Sequence, residues 1–171
     1  QAVHLDPDYT SAHANLGNVL SQTGRFEEAV RHYREVLRLS PNHADAHINM
    51  AHALDELGRT DESIEVLRAA TRIEPRLIDP HDLARAHSNL GSALGNQGDL
   101  DGAIVEYREA VRLWPEYDKA HFWLGLALYS QGNLDEAIEH YREALRINPN
   151  HAAAQQALNR ALVDKRHSGP D

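Results

Sequence analysis

Four segments, SAHANLG from Ser11, DAHINMA from Asp45, RAHSNLG from Arg85 and KAHFWLG from Lys119, each carry an Ala-His pair, then a Leu or Met and a small residue. Imidazole titrates near neutral pH and is the commonest metal ligand, so His13, His47, His87 and His121 are the first candidates for chemistry. Their intervals are 34, 40 and 34 residues. Two imidazoles on one zinc must bring their nitrogens about 2.0–2.1 Å from the ion, hence some 3–4 Å from each other. Equivalent points on successive packed helices lie about 10 Å apart, so this set cannot share an ion. The expectation is packing, with the ring nitrogens bonded to backbone or water. His43 and His47 form an H-x-x-x-H pair with His52 beyond. That spacing suits an adventitious metal, but it lacks the Glu that H-E-x-x-H chemistry requires. There is no cysteine, no G-x-S-x-G and no phosphate-binding glycine loop. The sequence therefore argues against an enzyme and calls for no metal or cofactor.

The totals narrow the partners. The chain has 171 residues and a formal net charge of -9, a field that repels phosphate backbones and anionic lipid surfaces. Nucleic acid is not expected. No apolar run approaches the eighteen or so residues of a membrane span, and the opening QAVHLDPDYT lacks the form of a secretory signal. Nothing in the sequence fixes a compartment, so the cytoplasm stands only as a default. Surface acids such as Glu27, Glu28, Glu106, Glu136 and Glu139 recur at helical spacing, as expected for a solvated face paired with Arg31, Arg108 or Arg142.

The histidines belong to a longer periodicity. Gly24, Gly58, Gly98 and Gly132 keep the same intervals, as do Pro41, Pro75, Pro115 and Pro149, giving a period of 34 with one insertion. In the first copy Ala12, Leu16, Val19 and Leu20 mark one helix closed by Gly24. Phe26, Ala29, Val30, Tyr33, Val36 and Leu37 mark a second, stopped by Pro41. Gly17, Gly91 and Gly125, with Ala51 in the second copy, and Ala29, Ala103 and Ala137, with Ser63, put small residues where the two helices approach closely. These landmarks together resemble the tetratricopeptide repeat. The resemblance implies an all-α fold, a right-handed superhelical α-solenoid of helix pairs. Its units fall at 10–43, 44–77, 84–117 and 118–151. The second departs most, with Met50-Ala51, Ser63 and Leu67 at landmark positions.

Residues 152–165 read as a capping helix and 166–171 as a disordered tail. Residues 1–9 match the layout of EAVRLWPEY, so they read as the end of a truncated preceding repeat. Such an edge would expose apolar surface and allow self-association. Residues 78–83 are the insertion: Asp79 suits an N-cap, Pro80 the first helical position and Asp82 the first turn, with Ile78 and Leu83 at staple spacing. It is either a tolerated extension or a protruding edge that meets a partner.

The resemblance also implies that the first helices line a concave groove for an extended or helical peptide. By register that surface receives Asn15 and Asn18, then Asn49 and His52, then Arg85 and Asn89, then Lys119, Phe122, Trp123, Leu126 and Tyr129. Asn15, Asn49 and Asn89 would form an amide ladder able to pair with any peptide backbone. A similar ladder occurs in the repeat region of O-linked N-acetylglucosamine transferases, which leaves a non-catalytic region of a larger enzyme as the alternative; such asparagines are equally the family's consensus. Trp123 and Leu126 break the ladder and either anchor a partner's apolar side chain or pack beneath the capping helix. Chaperone-binding members clamp a terminal carboxylate with two cations. Asn18, Asn49 and Arg85 match part of that clamp, but Ala14 and Asn89 stand where basic residues are needed, which disfavours heat-shock chaperone tails. The expected function is a scaffold for a protein or peptide partner.

Overall fold

The structure, a computed structural model, describes residues 7–167. Among the described residues there are nine α-helices and no strand: α1 Pro7–Gln22, α2 Phe26–Leu39, α3 Ala44–Glu56, α4 Thr60–Thr71, α5 Pro80–Asn96, α6 Leu100–Leu113, α7 Asp118–Ser130, α8 Leu134–Ile147 and α9 Ala152–His167. A short 3-10 turn at Pro75–Leu77 precedes α5. Consecutive helices pair, which makes this an all-α solenoid fold of helix pairs. The chain divides into two units, Gln1–Asn89 and Leu90–Asp171. The expectation for the preceding repeat falls mostly on residues outside those described.

Each hairpin turn is set by its glycine. Gly24, Gly58, Gly98 and Gly132 have φ of 75, 72, 87 and 82°, a left-handed conformation that costs other residues strain. The next residue then returns its N–H to the helix just ended: Arg25 to Leu20 and Arg59 to Leu54 at 2.8 Å, Asp99 to Leu94 at 3.0 Å, Asn133 to Leu128 at 2.9 Å. These bonds satisfy carbonyls that a helix end leaves open.

Within a hairpin, one ring decides the spacing. Tyr33, Tyr107 and Tyr141 are buried against Gly17, Gly91 and Gly125. A Cβ on those glycines would lie 2.7, 2.9 and 2.7 Å from a ring carbon, so the glycine is required by the tyrosine. Glycine costs about 1 kcal/mol in a helix interior, which burial of the ring offsets. In the α3–α4 hairpin Ala51 replaces the glycine and Leu67 the tyrosine, so both partners change together. Ser63 there is fully buried, and its hydroxyl faces the Asp55 carboxylate. In the first unit the core gathers Leu20, Val30, Tyr33, Val36, Met50 and Leu54.

The insertion starts α5 early, and Asp79 Oδ1 accepts the His81 N–H at 2.8 Å as an N-cap. At the other end α9 runs two residues past the expected boundary, so Arg166 and His167 are helical rather than tail. Lys165 and Arg166 carry positive charge at a helix C-terminus, where the dipole favours it, and the His167 ring bonds the Val163 carbonyl at 2.9 Å. The outer helices exchange ion pairs, including Arg34–Glu62 at 3.2 Å and Arg108–Glu136 at 2.7 Å.

Candidate functional site

The recurring histidines sit inside the hairpins. His47 Nε2 lies 2.8 Å from the Pro41 carbonyl and His121 Nε2 3.0 Å from the Pro115 carbonyl, so both rings donate to backbone as expected. Two have a further partner that spacing within one helix does not reveal. His13 Nδ1 is 2.7 Å from His32 Nδ1, and His121 Nδ1 is 3.0 Å from His140 Nδ1. The signal was an interval of nineteen residues, present in the first and fourth repeats and broken in the second by Val66. Among the described residues no three His, Asp or Glu side chains gather at metal-binding distance. His43 serves as a helix cap, its Nδ1 accepting the Ala46 N–H at 3.3 Å.

In the first unit the first-helix face is polar. Asn18 Oδ1 accepts from Asn49 Nδ2 at 3.0 Å and from the Tyr33 hydroxyl at 2.8 Å, tying α1, α3 and α2 through one amide. Asn15, Asn18, Asn49, Asp45 and Arg85 line one recess of about 390 Å³. Arg85 Nη1 bonds Asp45 at 3.0 Å and Asp82 at 2.9 Å. Burial lowers its pKa, yet the two carboxylates raise it on balance, so its charge is already shared. A terminal carboxylate would therefore compete with two aspartates. Asn18 and His52 line a second recess with Ser21, Gln22 and Tyr33, while His52 also lies 3.9 Å from Glu56 and edge-on to Phe26.

The second unit offers a different surface. Trp123 and Leu126, 39% and 37% exposed, wall a recess of about 370 Å³ with Ser92, Gly95, Asn96, Leu100 and Tyr107, and no charged side chain lines it. Ser92 Oγ lies 3.0 Å from the Tyr107 hydroxyl, the bond that Asn18 makes with Tyr33 in the first unit. Gly95 is not demanded by helix packing, since a Cβ there would meet only Ala103 Cβ at 3.7 Å. Its missing side chain opens the recess.

Leu126 also borders a separate recess with Tyr129, Tyr141 and Ala157 against α9. Tyr129 does not share the Trp123 recess. Its hydroxyl bonds Asp164 of α9, which raises its pKa, and the Arg160 guanidinium stands 5.7 Å above its ring. The Phe122 ring packs at a tilt against Trp123, Tyr141 and His151. Lys119 is exposed and Asn89 half-buried. Burial pushes the Tyr141 phenol up to about 12. Sequence reasoning missed Gly95, Tyr33 and Tyr107 as members of these surfaces because each reads first as a scaffold landmark.

Models of the tetratricopeptide repeat match residues 10–35, 24–90 and 88–152. No curated protein sequence matches the chain. Among solved structures it is similar to the crystal structure of MamA protein, with a TM-score of 0.77 and 27% identity over 94% of this chain and 85% of that one. It is similar to a structure from the functional characterization of Pseudomonas aeruginosa pilF, with a TM-score of 0.80 and 26% identity over 94% and 70% of the two chains. YrrB, described as a TPR protein with an unusual peptide-binding site, gives a TM-score of 0.70 over 91% and 77% of the two chains at 23% identity, which shows the fold alone. With the repeat matched from residue 10 to 152 and the helix pairs to embody it, the chain belongs to the tetratricopeptide-repeat family.

Proposed function

We propose that the chain is a non-catalytic interaction scaffold that binds a segment of a protein partner on the face of its first helices. The observation that carries this reading is the second-unit recess. A half-exposed tryptophan and leucine stand over an uncharged hollow that a dispensable glycine keeps open. Aromatic anchors in such settings dominate interface energetics. The recess suits one bulky aliphatic or aromatic side chain. In the first unit Asn15, Asn18 and Asn49 present amides that suit a backbone, donor and acceptor together. Membership of the tetratricopeptide-repeat family supports an interaction role.

The test is affinity for peptides selected from a random library on the intact chain. Trp123→Ala should weaken the selected peptides by about 2 kcal/mol, roughly thirtyfold, with the melting temperature unchanged. Gly95→Leu should block the same peptides by filling the hollow. Unchanged affinity in both variants would remove the recess from the site.

A second reading rests on α1. Leu16 and Val19 are 45% and 55% exposed, whereas Met50 and Ala53 at the same register of α3 are buried. We propose that this face pairs with a second copy of the chain. Light scattering across a concentration series should show association that Val19→Asp abolishes; a monomer at all concentrations would rule it out.

A further inference from the structure

The His121–His140 pair has a protonation logic that its geometry fixes. A carbonyl oxygen can only accept, so the nitrogen 3.0 Å from Pro115 O must be protonated: His121 carries its hydrogen on Nε2. In the neutral ring Nδ1 is then bare. The 3.0 Å contact between the two Nδ1 atoms needs one hydrogen, and His140 must supply it. Neutral His140 is thus protonated on Nδ1 and bare on Nε2. That free nitrogen lies 3.9 Å from Glu136 Oε1, and the His140 side chain is only 21% exposed.

Acid fills these positions in order. A first added proton goes to His140 Nε2, beside Glu136, and leaves the Nδ1–H···Nδ1 bond intact. A second has only His121 Nδ1 left. It would set two N–H groups against each other and two charged rings 5.3 Å apart between helices, with His121 6% exposed. We infer that His121 and His140 form a proton-counting latch between α7 and α8, closed while the pair holds at most one positive charge and opened by the second.

The surroundings fit that function. From α8 the carboxylates Glu136 and Glu143 face the pair and favour the first charge; from α6 Arg108 opposes it while holding Glu136 at 2.7 Å. The charged groups of α9 are engaged elsewhere, Asp164 with Tyr129 and Lys165 with Asp135. Burial first, then the neighbouring His121, lowers the pKa of His140, in keeping with a closed neutral pair. The Nδ1–Nδ1 contact recurs at His13 and His32, at 2.7 Å. The α3–α4 hairpin is the built-in control: Val66 replaces the second histidine, so the His47 ring meets the Val66 backbone and no second imidazole.

Imidazole nitrogen NMR on the unsubstituted, labelled chain tests the latch directly. At pH 8 His121 should show the Nε2-protonated tautomer and His140 the rarer Nδ1-protonated one; an Nε2 tautomer at His140 overturns the proposal. Amide-exchange protection in α7 and α8, taken relative to α6, should fall about tenfold between pH 7 and pH 5, the size of one unit of proton linkage. Protection that stays level over this range overturns it as well. His140→Phe, which keeps a ring but cannot charge, should remove most of that acid loss. Val66→His should give His47 a partner and install the same two-tautomer pattern and acid loss in α3–α4. If it folds and shows neither, the pair geometry is not the cause.

Discussion

The first and second units are built on the same joint and present different chemistry above it. In both, a tyrosine of the second helix lies against a glycine of the first, and its hydroxyl reaches the polar side chain that follows that glycine: Asn18 in the first unit, Ser92 in the second. Beyond that point they diverge. Asn18 also holds Asn49, so amides close over the ring, whereas the residue at the Asn49 position in the second unit is Trp123 and the surface opens into an apolar hollow. The glycine and ring are thus common to both, and a few outward register positions can be polar or apolar without disturbing that joint.

The sharpest way to break the comparison is to remove what is shared. Tyr107→Ala and Tyr33→Ala should each cost about 3–5 kcal/mol in urea unfolding, because each leaves a ring-sized void facing a glycine that cannot fill it. A cost below 1 kcal/mol in either would show that the joint is not common to both. Next comes the feature special to the first unit. Asn18→Leu copies the residue at Leu126 and strands both the Asn49 amide and the Tyr33 hydroxyl, for a loss of about 2 kcal/mol; Ser92→Ala, which strands one hydroxyl, should cost less. The feature special to the second unit runs the other way. Gly95→Ala should stabilise by roughly 1 kcal/mol, since helix propensity improves and the added methyl finds ordinary contact. Destabilisation would mean the glycine serves packing rather than the recess.

The mildest effect is with pH. His32, His47 and His140 are all lowered, in each case chiefly by burial. The unfolded chain therefore binds more protons than the folded one once the pH drops below about 6.5, the ordinary imidazole value. Stability present above that value should decline as pH falls, read as a lower melting temperature at pH 5.5 than at pH 7.5. A flat profile would place these rings in water.

Most of the architecture was readable because its causes are local. A glycine with positive φ and a proline past a helix end act within a few residues, so Gly24 and Pro41 announced their turns from sequence. The N-cap at Asp79 was legible for the same reason. The site was less so, because its contacts cross between helices. Nothing near Asn18 says that its oxygen serves both Tyr33 and Asn49, and nothing near Arg85 says that Asp45, forty residues away, shares its charge. Trp123 and Tyr129 lie on one helix but six residues apart, about 120° around it, and nothing near Tyr129 says that its hydroxyl reaches Asp164 of α9 while Trp123 borders the other recess. Helix α9 outran its expected end because charge at its last turn, rather than apolar periodicity, carries it to His167.

The odd second hairpin has a mechanical consequence. It has leucine where its siblings carry a ring, a serine where they carry a fully buried alanine, and a valine where the first and fourth hairpins carry the second histidine of a pair. In an array whose links contribute one by one, the weakest link sets where the array parts. Limited proteolysis under mild warming should nick between Ala44 and Thr71 before anywhere in α7 or α8, so that the fragment released first keeps the tryptophan-bearing surface whole.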